Sequence, residues 1–171
     1  MPKRFPFARR YPRRIQRRPW VRHGLLATAT ATSGAGALLL TTPRPAAADT
    51  VSDANALVYD VNAIRAWFHL SPLRVNPVLS NFALAHSEQM AAAGTIFHTA
   101  SLYSVAALVP GWSEVGENVG MGANEPVVAN ALAHSEYHLR NMLGAYDQMG
   151  IGVVYRGATV YITEEFAQAP L

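Results

Sequence analysis

The spacing of apolar residues predicts three helices in the part of the chain that follows residue 50. Apolar positions separated by three and four residues run through 52–70, 77–93 and 126–143, as on the buried side of an amphipathic helix. Asn76 is suited to cap the second helix, and Gly94 is suited to end it. We expect the apolar stripe of the first helix to be buried; it consists of Ala56, Leu57, Val61, Ile64, Trp67 and Phe68.

Three other segments are typical of β-strands. Residues 111–122 are too rich in glycine for a helix, and their valines alternate with smaller residues. Residues 149–155 and 159–166 are rich in β-branched and aromatic side chains, and the short turn between them contains Gly157, which predicts an antiparallel hairpin. Helices that come before and between strands, without a regular alternation of the two, predict a layered α+β domain.

Charge divides the chain into two unlike parts. Ten of the 14 basic residues and none of the 11 acidic residues lie in the first 48 positions, so residues 49–171 carry a net charge of −7. The basic start, the uncharged stretch at 24–42 and the small residues before Asp49 form the pattern of a secretory signal peptide, cleaved between Ala48 and Asp49. Arg17-Arg18 loosely fits a twin-arginine signal, and general secretion is the alternative.

This division predicts where the protein is found and what it does not bind. We expect residues 1–48 to be removed, which leaves 49–171 as a single domain that is secreted or held at the cell envelope, with no transmembrane segment. An uncleaved membrane anchor is the alternative, but the leader is rich in Thr, Ser and Gly. The acidic mature part is unsuited to nucleic acid, and the absence of cysteine excludes disulfides and thiol nucleophiles.

The candidate site consists of side chains that are far apart in sequence. Glu117 lies beside Asn118 in the glycine-rich segment, where a buried glutamate needs a partner. The candidate partners are His98, in a loop after the second helix, and His138, at the edge of the apolar stripe of the third helix. Imidazole and carboxylate groups are sufficient in type to bind a divalent cation, although their spacing is not a compact ligand motif.

Other interpretations of these polar residues remain open. Ser135 lies three residues before His138, so the two could act as nucleophile and base with Glu117 orienting the imidazole, but no nucleophile elbow surrounds Ser135. His134 and His138 could chelate a metal from one helix face. Alternatively, the polar residues form a buried network that holds the sheet to its helices. We interpret His86, on the apolar stripe of the second helix, as a core histidine with a satisfied hydrogen bond.

The motifs together resemble the CAP superfamily, which comprises the cysteine-rich secretory, antigen 5 and pathogenesis-related proteins and is also called the SCP domain. The resemblance covers residues 53–168 and rests on Gly116-Glu117-Asn118, on His98 and His138 on either side of it, and on the closing hairpin. The cysteine-free bacterial branch is the most similar. The resemblance implies an α–β–α sandwich with a small antiparallel sheet between helices and a surface cleft.

The resemblance also implies a set of site residues. The cleft of the family is lined by histidines and glutamates, which match His98, Glu117 and His138, and it can hold a divalent cation, here Zn²⁺ or Mg²⁺. Asn118 belongs to the structural motif. Animal and plant members carry one more glutamate in the cleft; the accessory candidates for that role here are Ser135, which occupies its position, Glu136 and Glu164.

The function that follows from the resemblance is binding. We expect a secreted, non-catalytic domain that binds a small molecule, a lipid or a partner such as an envelope component through the His/Glu cleft. The alternative is a secreted hydrolase, either assisted by a metal or based on Ser135 and His138. The family fold does not choose between these functions.

Overall fold

Helices on both sides of a four-stranded sheet form the part of the chain that the computed structural model describes, residues 47–169, with side chains from residue 50 onward. The predicted leader lies outside the described residues, apart from the backbone of its last two positions. The elements are α1 (Ala47–Trp67), β1 (Arg74–Val75), α2 (Pro77–Ala93), α3 (Tyr103–Ala106), β2 (Glu114–Gly122), α4 (Glu125–Ala133), α5 (Glu136–Met142), β3 (Gln148–Arg156) and β4 (Thr159–Gln168).

The register of the sheet decides which polar side chains meet. The strand order is β1-β3-β4-β2, in which β4 pairs antiparallel with both β2 and β3, and β1 pairs parallel with β3. Glu117 lies opposite Glu165 across the β2–β4 pair, and Asn118 lies opposite Glu164. Because successive side chains of a strand point to opposite faces, Glu117 and Glu165 share one face and Asn118 and Glu164 share the other.

Glycines allow α2 to lie directly on the face that carries Glu117. A Cβ atom at Gly152 would be 2.2 Å from the backbone carbonyl carbon of Ala83, and one at Gly150 would be equally close to α2. Only glycine permits this approach of helix and strand backbones. The hydroxyl of Ser87 adds a hydrogen bond to the carbonyl of Gly152 at 3.1 Å.

The opposite face of the sheet is covered by α1, α4 and α5. Val128 of α4 packs where a Cβ of Gly120 would lie, and buried side chains of α1 such as Leu57 and Ile64 complete this layer. The buried guanidinium of Arg65 donates to the carbonyls of Ser71, Met142, Gly144 and Tyr146 at 2.8–3.3 Å. Arg65 therefore fixes the segment between α5 and β3 against α1.

Several sequence predictions are confirmed. The fold is the predicted α+β arrangement with a small, mainly antiparallel sheet between helices, and α2 has the predicted bounds. The side chain of Asn76 accepts hydrogen bonds from Val78 and Leu79, and Gly94 ends the helix at φ 72°. The C-terminal hairpin forms as expected, with Gly157 in its turn at φ 61°.

The predicted third helix is wrong in one respect, because residues 126–143 form two helices instead of one. The chain leaves helical geometry at Ser135, whose φ of −91° and ψ of 123° place it as the N-cap of α5. The apolar stripe continues across this break, so periodicity alone did not show it. Trp67, the last residue of α1, and Phe68, which follows it, are each 42% exposed, in contrast to the predicted burial.

Two short elements, β1 and α3, have no counterpart in the sequence predictions. β1 has two residues, and α3 is a single turn that buries Val105 and Ala106. Neither is long enough to create a periodic pattern. Among residues 47–169, no helix combines the length and apolar character that crossing a membrane requires.

Candidate functional site

Glu117 is the centre of a hydrogen-bond network at the edge of the sheet. The Nδ1–H of His98 donates to Oε1 of Glu117 at 2.7 Å, and the backbone N–H of Thr99 donates to the same oxygen at 2.9 Å. The hydroxyl of Thr99 donates to Oε2 at 2.5 Å. Burial alone would raise the pKa of Glu117, but the bonds from Thr99, His98 and Glu165 together lower it. Glu117 is therefore a buried carboxylate that stays ionised.

The bond to Glu117 fixes the state of the His98 ring. Since a carboxylate only accepts hydrogen bonds, Nδ1 of His98 must carry a proton, and in the neutral ring Nε2 carries a lone pair. The side chain of His98 is 63% exposed, whereas that of Glu117 is 1% exposed. The pair thus joins a buried carboxylate to a solvent-accessible imidazole, the arrangement in which a carboxylate orients a histidine ligand.

His86 anchors the loop that carries His98 and Thr99. Its Nε2–H donates to the carbonyl of Phe97 at 2.9 Å, and the two rings meet edge to face at 5.2 Å. The same nitrogen lies 3.7 Å from Oε2 of Glu117. The prediction of a core histidine with a satisfied hydrogen bond is confirmed, but the sequence did not show that this histidine lies beside the candidate site.

Glu165 is the unexpected neighbour of Glu117. It is fully buried and faces Glu117 across the strand pair. No N–H group and no Ser, Thr or Tyr hydroxyl of residues 47–169 donates to either of its oxygens. Burial, and then the charge of Glu117, raise the pKa of Glu165 to about 10. Two adjacent carboxyl groups do not both ionise in such surroundings, so Glu165 is the protonated member of the pair.

His138 lies near this network without bonding to it. Burial, followed by the nearby His98, lowers the pKa of His138, so its ring is neutral at ordinary pH. Its Nδ1 is buried and has no hydrogen-bond partner among the described residues. Of the three predicted cleft residues, His98 and Glu117 are thus in direct contact. The ring of His138 interacts electrostatically with His98.

Hydrogen bonds of Asn118 and Asn141 link β2 to α5, the helix that carries His138. The amide of Asn118 donates to the carbonyl of His138 at 3.1 Å and to Glu164 at 2.9 Å. The amide of Asn141 donates to the carbonyl of Glu117 and to the side chain of Asn118. These bonds therefore fix α5, and with it the backbone of His138, against β2.

The accessory candidates lie away from the Glu117 carboxylate. Ser135 makes no side-chain hydrogen bond as the cap of α5 and none to His138, so the two do not form a nucleophile–base pair in the described structure. Glu136 is 85% exposed at its side chain and pairs with Arg140 across one turn. Glu164 points to the opposite face of the sheet from Glu117 and accepts from Asn118.

The helix break also separates the predicted His134–His138 pair, because His134 ends α4 and His138 belongs to α5. The ring of His134 bonds instead to the carbonyl of Asn130 at 2.8 Å. In the described part of the chain, no three side chains of the types His, Cys, Asp and Glu are arranged to hold a metal ion together. Glu117 in particular has both oxygens engaged by Thr99 and His98.

Comparison with protein families gives a match over most of the described domain. The model of the family described as "CAP: Cysteine-rich secretory protein family" matches residues 58–166. The chain belongs to the CAP family. The CAP membership that was predicted from the Gly-Glu-Asn motif, the two histidines and the closing hairpin is thereby confirmed.

Solved structures show the same fold for this CAP domain. An outer surface protein of Borrelia burgdorferi is 17% identical with a TM-score of 0.63, over 70% of this chain and 94% of that one. An extracellular SCP-domain protein of Bacillus anthracis is 22% identical with a TM-score of 0.61, over 70% of this chain. A cysteine-rich secretory protein of Staphylococcus aureus is 25% identical with a TM-score of 0.60, over 74% of this chain.

The present chain spans only 41% of the length of the Bacillus and Staphylococcus proteins. Among curated proteins, none matches the chain significantly. The likeness therefore establishes the CAP fold, and two of the similar structures are described as extracellular or secretory.

Sequence reasoning missed two members of the site in this CAP domain, Thr99 and Glu165. Thr99 follows His98 directly, and a Thr beside a candidate histidine was a usable signal for a second donor. Glu165 is adjacent to the Glu164 that was considered, and only the register of β2 against β4 shows which of the two faces Glu117.

Proposed function

We propose that this protein is a secreted or envelope-associated, non-catalytic CAP domain that binds its ligand at the cleft formed by His98, Glu117 and His138. The single observation that supports the proposal best is the contact between an exposed imidazole and a buried carboxylate, His98 Nδ1 to Glu117 Oε1 at 2.7 Å. Such a pair presents one defined nitrogen, Nε2 of His98, to whatever enters the cleft.

The electrostatics of the cleft favour a ligand that interacts with imidazole nitrogens. Glu117 is ionised but enclosed by its donors, so it orients His98 and leaves little of its own surface for a ligand. His138 is neutral at ordinary pH because its pKa is lowered. The neutral ring of His138 and Nε2 of His98 suit a small molecule, a lipid headgroup or a partner side chain with a hydrogen-bond donor, and equally a divalent cation.

The donor set also fits a divalent cation in type, with Zn²⁺ ahead of Mg²⁺. Imidazole nitrogens are good ligands for zinc, whereas magnesium prefers oxygen ligands. Nε2 of His98 and the ring of His138 would hold the ion, and Glu117 would orient His98 without being a ligand itself. A cation bound there would supply a positive charge for an anionic or carbonyl group of the ligand.

The test is a calorimetric titration of the purified protein with Zn²⁺, beside a His98→Ala/His138→Ala double variant. The proposal predicts saturable binding by the parent protein and at least about a hundredfold weaker binding by the variant, because two ligands are lost. His134→Ala is the matched control, since the ring of His134 bonds to the carbonyl of Asn130 in α4, and it should bind like the parent. Equal binding by the parent and the double variant, with both proteins folded, would contradict the cation-binding part of the proposal.

The wider binding proposal has a separate test that does not depend on a cation. Neutral lipid vesicles and envelope glycans are mixed with the parent protein and with the double variant. The parent protein should bind these probes, and the variant should not. Equal binding of the probes by both proteins would place ligand binding outside the His98–His138 cleft.

A further inference from the structure

Glu165 lies beside the cleft, at a buried position where the packing of the fold does not require a carboxyl group. A fully buried glutamate is rare unless it is paired with a cation or bonded by several donors. In the part of the chain that the structure describes, Glu165 has neither, and its neighbour on β2 is another carboxyl group, that of Glu117. An apolar residue would fill the same space without the cost of desolvating a carboxyl group.

The hydrogen bonds of Glu117 show how the two carboxyls divide their roles. Glu117 receives donors from His98 and Thr99 on the side of the loop, which stabilises its ionised form. Glu165 receives none from an N–H group or hydroxyl of the described residues, which favours its neutral form. Two carboxyl groups can share a hydrogen bond only when one of them carries a proton, and here that proton belongs to Glu165.

We infer that Glu165 is a proton-carrying positioning residue: its O–H donates to Glu117, completes the set of donors around that carboxylate, and so fixes the orientation of His98. The inference deepens the proposed function, because it concerns the same cleft. Glu165 does not reach the ligand itself, since its side chain is fully buried. Its effect on the cleft passes through Glu117 to Nδ1 of His98.

The raised pKa of Glu165 agrees with this geometry, since burial and the charge of Glu117 both oppose its ionisation. The other titratable groups around the pair are His86 on α2, which lies 3.7 Å from Glu117, and His98 on the loop. Neither of these histidines donates to Glu165. Among residues 47–169, the proton on Glu165 is therefore the donor that can complete the hydrogen bonds to Glu117 on that side.

Three variants separate positioning from simple packing. Glu165→Gln keeps the shape and retains an N–H donor for Glu117, whereas Glu165→Met keeps a similar volume and removes the donor. Glu164→Gln is the matched control on the opposite face of the sheet. The readout is the imidazole NMR signal of His98, namely its tautomer and the rate at which its Nδ1 proton exchanges with solvent, together with the ¹³C carboxyl resonance of Glu165 in the parent protein.

The inference predicts a protonated carboxyl resonance for Glu165 near neutral pH. It also predicts that Glu165→Gln and Glu164→Gln keep the parent signature of His98, while Glu165→Met speeds exchange of the Nδ1 proton by about tenfold, as the loss of one hydrogen bond would. An ionised Glu165 near neutral pH overturns the inference even if Glu165→Met does not fold. A folded Glu165→Met protein with the parent signature also overturns it.

These results do not depend on ligand binding, so they can fail separately from the proposed function. If Zn²⁺ and vesicles do not bind but the His98 signature follows the Glu165 variants, the positioning role stands and the ligand class is wrong. If the cleft binds a ligand but the NMR signal of His98 is the same in the Glu165 variants as in the parent, the positioning role is wrong and the proposed function stands.

Discussion

Replacing Glu164 with glutamine should stabilise the protein at neutral pH and leave its stability at acidic pH unchanged. Glu164 is fully buried; its Oε2 accepts a hydrogen bond from Asn118, and its Oε1 has no partner among residues 47–169. Burial, opposed by the Asn118 bond and reinforced by the charges of Asp60 and Glu125, raises the pKa of Glu164 from 4.5 to about 7. Glutamine keeps the acceptor for Asn118, and it cannot ionise.

The sign of the effect follows from which state holds the proton. Between the two pKa values, the folded protein binds a proton at Glu164 that the unfolded chain has lost, so stability falls as the pH rises. Each pKa unit corresponds to about 1.4 kcal/mol, so the difference between 4.5 and about 7 amounts to about 3 kcal/mol at pH 7. Below about pH 4, both states are protonated and this contribution to the free energy of unfolding is fully present.

The assay is urea denaturation of the parent and Glu164→Gln proteins at about pH 4 and about pH 7. The free energy of unfolding of the variant, relative to the parent, should increase by up to about 3 kcal/mol between these two conditions. Glu136→Gln is the control, because Glu136 is exposed and its replacement should give the same small difference at both pH values. If the stability of Glu164→Gln relative to the parent does not change with pH, the pKa of Glu164 is not raised in the folded protein.

Three further changes test how the fold is held together, each by urea denaturation. Arg65→Met should lower the free energy of unfolding by about 3–5 kcal/mol, because four carbonyls lose a buried charged donor. Arg74→Met, which removes an exposed ion pair with Asp147, should lower it by under about 1 kcal/mol. Equal losses in the two variants would contradict the role of Arg65. Gly152→Ala should cost about 3 kcal/mol or more, since its Cβ would overlap the backbone of α2; an unchanged stability would show that the helix can move away. Asn76→Ala should cost about 1 kcal/mol through the lost cap, and no loss would mean that the cap is replaced.

The fold was largely predictable because its longer elements carry periodic patterns and terminal signals. α2 has a cap at Asn76 and a terminator at Gly94, and the hairpin of β3 and β4 is marked by β-branched residues on either side of Gly157. The helix break at Ser135 was not predictable from periodicity, because the apolar stripe continues through both halves. Ser135 becomes recognisable as the N-cap of α5 only once the break is seen, because its side chain makes no capping hydrogen bond.

The candidate site was predictable only in part, for a geometrical reason. Glu117 and His98 belong together in the structure as the sequence suggested, because a buried carboxylate needs a donor. The choice between Glu164 and Glu165 depends on the strand register, in which a shift of one residue exchanges the two faces. The place of His86 depends on the packing of α2 against the loop, which no local pattern encodes.

The most direct test of the central claim is to follow the imidazole ¹⁵N signals of the histidines by NMR while Zn²⁺ is added to the purified protein. We expect Nε2 of His98 and the ring of His138 to shift together, and Nδ1 of His98 to keep its proton and its bond to Glu117. His134, at the end of α4, and His69, two residues beyond α1, should not respond. Shifts confined to His134 or His69, or no shift at any histidine, would contradict the claim that His98 and His138 form a cation-binding cleft.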